Sequence, residues 1–153
     1  MKSYSRIAFI LVVTLVSVTG LVNAQSKKAA LNHIALSVVN LKKSTAFYID
    51  LVQLDTIPEP FHDQKHTWFN IGPMSHLHII ESAKNIISHD KNTHLCFTVP
   101  SVEEFVVRLD KAKVPFSNWA GDNHQITTRV DGVKQIYFQD PDGYWIEIND
   151  ARQ

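Results

Sequence analysis

Two stretches of this chain open in the same way. Asn32-His33-Ile34-Ala35-Leu36-Ser37-Val38 and Thr93-His94-Leu95-Cys96-Phe97-Thr98-Val99 each alternate like a half-buried strand, and each carries a histidine at its second position. A helix-like segment follows each of them, and then further strand-like runs. The halves close on Leu77-His78-Ile79-Ile80-Glu81 and Trp145-Ile146-Glu147-Ile148-Asn149, again strands, each directing a potential metal ligand to one face. Repetition at this scale fixes the architecture before any single element does. Two copies of a small unit, each with a donor on its first and last strand, point to a metal site built by pseudo-symmetry.

Within the first copy, Leu31 to Val39 is the opening strand, and Asn40 or Ser44 can cap a helix that runs through Phe47 and Leu51. Pro58-Glu59-Pro60 breaks regular structure and begins a polar loop holding His62 and His66. Strands are expected over Thr67–Ile71 and His76–Glu81, and the strand directly after the helix is weak. In the second copy Pro100 stops the opening strand, and Ser101 with Glu104 has capping-box spacing. The helix that follows buries Val102, Phe105, Val106 and Leu109. Asp131-Gly132 marks a hairpin, Asp140-Pro141-Asp142-Gly143 a tight turn served by local backbone hydrogen bonds, and Tyr144 to Ile148 the last strand. The fold class is α+β: two tandem βαβββ modules, one over about residues 31–83 and the other over about 92–150.

Residues 1–24 stand outside this plan. Lys2 and Arg6 precede an apolar run from Ile7 to Val22, and Val22-Asn23-Ala24 offers small residues for signal peptidase, so a secretory signal peptide cut after Ala24 is expected. The run is short for a spanning helix, which needs roughly 20 apolar residues. Export, with the bacterial periplasm as the expected compartment and secretion as the alternative, leaves one domain over residues 25–153 and no membrane attachment. Loss of Lys2 and Arg6 leaves 13 basic against 15 acidic residues, a net charge of −2 that gives no reason to expect nucleic acid as a partner. Cys96 is the only cysteine, so no intrachain disulfide forms, and a packed thiol is its expected role.

The opening NHIALSVVNLKKSTAFY, the segment THLCFTV and the closing QDPDGYWIEIND resemble the vicinal oxygen chelate superfamily, also called the glyoxalase, bleomycin-resistance and dioxygenase superfamily. The resemblance runs from about Leu31 to Asp150. It implies that each module is a curved half-barrel sheet and that paired modules enclose one divalent metal. It also implies the ligands: His33 on the first strand of module one, His94 on that of module two, Glu147 on the last strand of module two, and His78 on the last strand of module one. His76 shares a face with His78 two residues away and is the alternative if the register differs. Zinc, nickel, manganese and iron all suit such donors.

From the same resemblance comes the expected chemistry. A metal holding vicinal oxygens of a small oxygenated substrate supports a glyoxalase-type lyase or isomerase, with Glu147 as the carboxylate that moves a proton. His78 in place of a second carboxylate counts against a strict glyoxalase I, as does export. An iron-dependent ring-cleaving dioxygenase is one alternative, because His33, His94 and Glu147 can form a two-histidine, one-carboxylate triad. A bleomycin-resistance-like binder without catalysis is the other. A homodimer is expected, and the site can form within one chain or across two. His62, His66, His89 and His124 are read as solvated, and Trp68, Phe69, Trp119, Tyr137 and Trp145 as core or pocket wall.

Overall fold

A computed structural model describes residues 28–152; the expected signal peptide lies outside the described residues. Module one begins with β1 (His33–Val38) and α1 (Leu41–Phe47), whose end widens into a π-helical turn (Tyr48–Val52). β2 (Thr56–Ile57), β3 (His66–Gly72) and β4 (Ser75–Glu81) follow. Module two runs β5 (His94–Thr98), α2 (Val102–Ala112), β6 (Phe116–Ser117), β7 (Thr127–Thr128), β8 (Lys134–Gln139) and β9 (Trp145–Asn149). The first sheet has the order β1-β4-β3-β2 and the second β5-β9-β8-β6, with β7 also on β8. β6 and β7 take successive stretches of one edge of β8, so they act as a single strand interrupted by a loop. The βαβββ plan therefore holds twice.

Local chemistry starts and stops the helices where the sequence places those signals. The Asn40 side chain accepts from the amide of Lys43 at 2.9 Å, and Ser101 Oγ accepts from the amide of Glu104 at 3.2 Å. Lys113 ends α2 in the left-handed region, φ 56°, with its amide donating to Asp110 O. The weak strand after the first helix is only two residues long. One loop assignment fails: His66 opens β3 and is not in the polar loop, because the ladder to β4 already begins at its pairing with Ile80.

A single core lies on the helical faces of both sheets. Leu36, Val38, Phe69, Leu77 and Ile79 from the first sheet meet Phe105, Leu109, Ile136, Phe138, Ile146 and Ile148 of module two. Rings make the junction: Phe138 lies 6.2 Å from Phe47 and 5.7 Å from Phe105, measured between centroids. Strand side chains alternate between faces. Filling one face of each sheet with shared core therefore leaves the opposite faces on the outside.

The Asp140-Pro141-Asp142-Gly143 turn does more than the local bonding expected of it. Asp140 does accept amides of its own turn, from Asp142 and Tyr144. Its other oxygen, however, accepts from Tyr48 Oη in module one at 2.9 Å. Asp142 accepts from the amide of Val39 at 2.7 Å and from Ser44 Oγ at 2.5 Å, and Tyr144 Oη donates to Ser37 O. Gly143 sits at φ 89°, and a Cβ there would come within 2.9 Å of Ile87 O in the linker. This turn is the latch between the modules.

Candidate functional site

On the outward face of the first sheet stand His33, His76, His78 and Trp68. Parallel pairing of β1 with β4 sets Ala35 beside His78, and antiparallel pairing of β3 with β4 sets Trp68 opposite His78. The rings form a stack. Trp68 lies 3.9 Å from His78 with planes 3° apart, and His78 lies 4.4 Å from His33 with planes 7° apart. Burial, then the neighbouring imidazoles of His33, His76 and His66, hold the pKa of His78 below its ordinary value. It is therefore neutral and keeps a lone pair. His33 Nδ1 lies 2.8 Å from Asn32 Oδ1, an acceptor, which leaves Nε2 as its free lone pair.

The outward face of the second sheet repeats the plan with other side chains. Cys96 on β5 pairs with Glu147 on β9, and Tyr137 on β8 lies opposite Glu147. His94 Nδ1 lies 2.8 Å from the carbonyl of Lys91, which can only accept. Nε2 is thus the lone-pair nitrogen, and it faces Glu147 Oε2 at 3.3 Å. Two lone-pair atoms at this separation repel unless a proton or a metal ion lies between them. Glu147 also accepts from Tyr137 Oη, from Asn149 Nδ2 at 2.9 Å and from Cys96 Sγ at 3.4 Å. Burial pushes its carboxyl up, but these three donors and the adjacent His94 together outweigh burial and hold its pKa below the ordinary value.

Cys96 is not the packed thiol that was expected. It is exposed on the outward face, since the alternation that directs His94 outward directs Cys96 outward too. The residue is exposed but its sulfur is half-covered, and that desolvation, then the Glu147 carboxylate, pushes its pKa up to about 12, so it donates to Glu147 as a thiol.

The four expected ligands come together as two pairs, His33 with His78 and His94 with Glu147. Among the described residues, the one group of three metal-binding side chains whose donor atoms lie within 4.8 Å of one another is Glu59, Asp63 and His66. That group is bonded to its own loop: Glu59 accepts from the amides of Phe61 and His62, and Asp63 from that of Lys65 and from His66 Nδ1. His66 is accordingly bonded and partly covered, not solvated. The register also separates His78 from His76: His78 occupies the place in β4 that Glu147 occupies in β9.

A model of the glyoxalase/bleomycin resistance protein/dioxygenase superfamily matches residues 30–148. The chain belongs to this superfamily. Among relatives in the superfamily, lactoylglutathione lyase of Pseudomonas putida is 27% identical over 88% of this chain and 92% of its own length. Metallothiol transferase FosB of Staphylococcus epidermidis is 29% identical over 78% of this chain and 81% of its own. The solved structure of the fosfomycin resistance protein FosX from Listeria monocytogenes shares the fold at a TM-score of 0.64. It is 24% identical and covers 82% of this chain and 95% of that one.

The residues present fit the divalent metal that the superfamily implies. His33 and His94 are each held by an acceptor at Nδ1, which directs Nε2 to the outward face, the orientation that a hydrogen-bonded partner gives a metal-ligating imidazole. His78 Nε2 is buried without a partner, an unfavourable state for a polar atom unless something binds it. Tyr137, Asn149, Asn32 and the Lys91 carbonyl are partners of these candidate ligands that the sequence motifs do not single out. The parity of Tyr137 and Asn149 with Glu147 was visible; the Lys91 carbonyl left no side-chain signal at all.

Proposed function

We propose that this protein is a divalent-metal-dependent lyase or isomerase of glyoxalase type that works as a dimer on a small oxygenated substrate. Each metal site would take His33 and His78 from one chain and His94 and Glu147 from a second. The observation that carries this reading is the pairing itself. Two half-sites with matched register, one with His33 beside His78 and one with His94 Nε2 facing Glu147, stand on faces that the shared core directs outward. A second copy is what can close each of them.

A metal bound there would supply a Lewis acid to polarise oxygens of the substrate. The chain's own part centres on Glu147, the one carboxylate among the four. Its oxygens are the atoms that accept a proton from a carbon beside a carbonyl and return it. Tyr137, Asn149 and Cys96 hold the carboxylate in place, and their hydrogen bonds keep it ionised and ready to accept. With His78 where a second carboxylate would stand, one base removes and returns the proton on the same face. The leader read at residues 1–24 would put this activity in the periplasm, away from the cytosolic glutathione pool. That favours a substrate other than a glutathione adduct.

Mixing two variants tests the reading. His33→Ala and His94→Ala should each bind no metal as homodimers. When the two are unfolded and refolded together, about half of the dimers are heterodimers, in which one of the two shared sites regains all four ligands, so about a quarter of the wild-type metal content returns to the mixture. A site built within one chain would stay broken in every mixture.

A further inference from the structure

Trp68 Nε1 and His78 Nε2 are the buried side-chain nitrogen and oxygen atoms that lack a hydrogen-bond partner among the described residues. They do not lie in unrelated places. They belong to two rings stacked at 3.9 Å on the ligand-bearing face of the first sheet. An imidazole Nε2 that carries no hydrogen is satisfied by a cation, whereas an indole N–H can only donate and is satisfied by an acceptor such as oxygen. A metal ion alone leaves Trp68 unpaired.

The repeat shows why this donor is left over. Trp68 occupies in β3 the place that Tyr137 occupies in β8, each opposite a ligand on the next strand. Tyr137 points its hydroxyl at the Glu147 carboxylate and commits its donor there. Trp68 lies flat on His78, so its in-plane N–H cannot reach the imidazole beneath it. The remaining approach is bounded by Phe61, whose ring meets Trp68 edge-on at 6.0 Å and His66 at 4.9 Å. Phe61 is itself 59% exposed, at the tip of the loop between β2 and β3. An uncommitted donor thus sits beside an uncommitted ligand, under an aromatic side chain on the surface.

We propose that Trp68 is a ligand-binding residue of this site, whose indole N–H donates to an oxygen atom of the small molecule held there. The proposal rests on the metal reading above and adds a requirement on the substrate. One acceptor oxygen (carbonyl, carboxylate or hydroxamate-like) must lie on the side of the first sheet as well as near the metal. In the opposite half-site the donors around the carboxylate are committed, since Tyr137, Asn149 and Cys96 all point at Glu147.

The test uses the mature protein with ¹⁵N-labelled tryptophan, zinc and acetohydroxamate as a two-oxygen probe. Trp68→Phe assigns the indole signal, keeps an aromatic ring on His78 and removes the donor. The expected result has two parts. The Trp68 indole proton moves downfield and exchanges more slowly when zinc and acetohydroxamate are both present. Acetohydroxamate also binds roughly 10-fold more weakly to zinc-loaded Trp68→Phe, the loss of about one hydrogen bond, while zinc affinity is unchanged. An indole signal that stays put while acetohydroxamate binds overturns the proposal, as does equal affinity in the variant. Zinc titration of the wild type reports separately on the metal reading. If no zinc binds, acetohydroxamate added to the metal-free protein decides the matter: a shifted indole keeps the donor role, and an unmoved one ends it.

Discussion

In the first sheet, the residue opposite His78 on the ladder is Trp68, and the two rings lie flat on one another. In the second sheet the same ladder position sets Tyr137 opposite Glu147, and the phenol bonds the carboxylate. Backbone register is shared and side-chain chemistry is divided. One half-site is built of imidazoles; the other carries a single carboxylate held by three donors. Repetition thus fixes where donors stand, while the residues opposite them decide what each donor can do. Joined as proposed above, the halves would offer three imidazoles and one negative charge. A divalent metal would then keep a net positive charge for an oxygen-bearing substrate.

The change expected to break this division most completely is Glu147→Gln. It removes the only formal charge while keeping an acceptor for Tyr137. Metal affinity should fall by more than the roughly 10–100-fold that losing an outer partner costs, with the fold intact. Calorimetric titration with zinc and the circular dichroism spectrum measure the two quantities. Wild-type affinity in this variant would mean that the carboxylate is not a ligand.

A change at the latch should affect both halves together. Asp142→Ala removes the acceptor for the Val39 amide and for Ser44 Oγ, leaving one part-buried and one buried donor of module one without partners. Stability should drop by about 2–4 kcal/mol, read from the urea midpoint. Because the modules share one core, a single transition is expected, whether followed by Trp68 in module one or by Trp145 in module two. Two separate transitions would show that the modules stand independently and that the latch only orders a turn.

At the outer shell the halves should differ. Tyr137→Phe withdraws a donor from the Glu147 carboxylate and should weaken zinc binding by about 10-fold. Trp68→Phe, at the equivalent place in the first sheet, should leave zinc binding unchanged. Equal losses in the two variants would mean that both rings act only by packing.

Much of this was legible in the sequence, because strand alternation is a local property. The spacing of His33, Ala35 and Leu36, and of His94, Cys96 and Phe97, separates the two faces of β1 and β5 without any tertiary knowledge. The place of the four donors followed from that. The direction in which the half-sites face did not, because it depends on which sheet faces share a core, a long-range choice that the alternation leaves open. The latch was hidden for the same reason. Asp140 and Asp142 have the composition of a turn, and nothing near them announces partners at Tyr48, Ser44 and Val39. Cys96 was misjudged because a free cysteine is usually a buried residue, although its parity with His94 already placed it on the outer face.

The smallest effect is expected at Asn32, and it bears on how each half-site orients its histidine. His94 is held by a main-chain carbonyl, Lys91 O, which no substitution at Lys91 removes. His33 is held by the side chain of Asn32, which is exposed, so water can take over its role. Both contacts put the hydrogen on Nδ1 and the lone pair on Nε2, but only one is built into the backbone. Asn32→Ala should therefore weaken zinc binding only a few-fold, below the usual loss for a buried outer partner, with the wild-type fold. Nitrogen-detected NMR of ¹⁵N-histidine-labelled protein reads the tautomers directly. His94 should remain in the Nδ1–H form in the variant, while His33 should become a mixture of the two. An unchanged His33 tautomer would mean that the stack on His78 orients the ring, and not Asn32. A large loss of zinc affinity would mean that water cannot replace the amide, and that the exposed half-site depends on its partner as closely as the covered one does.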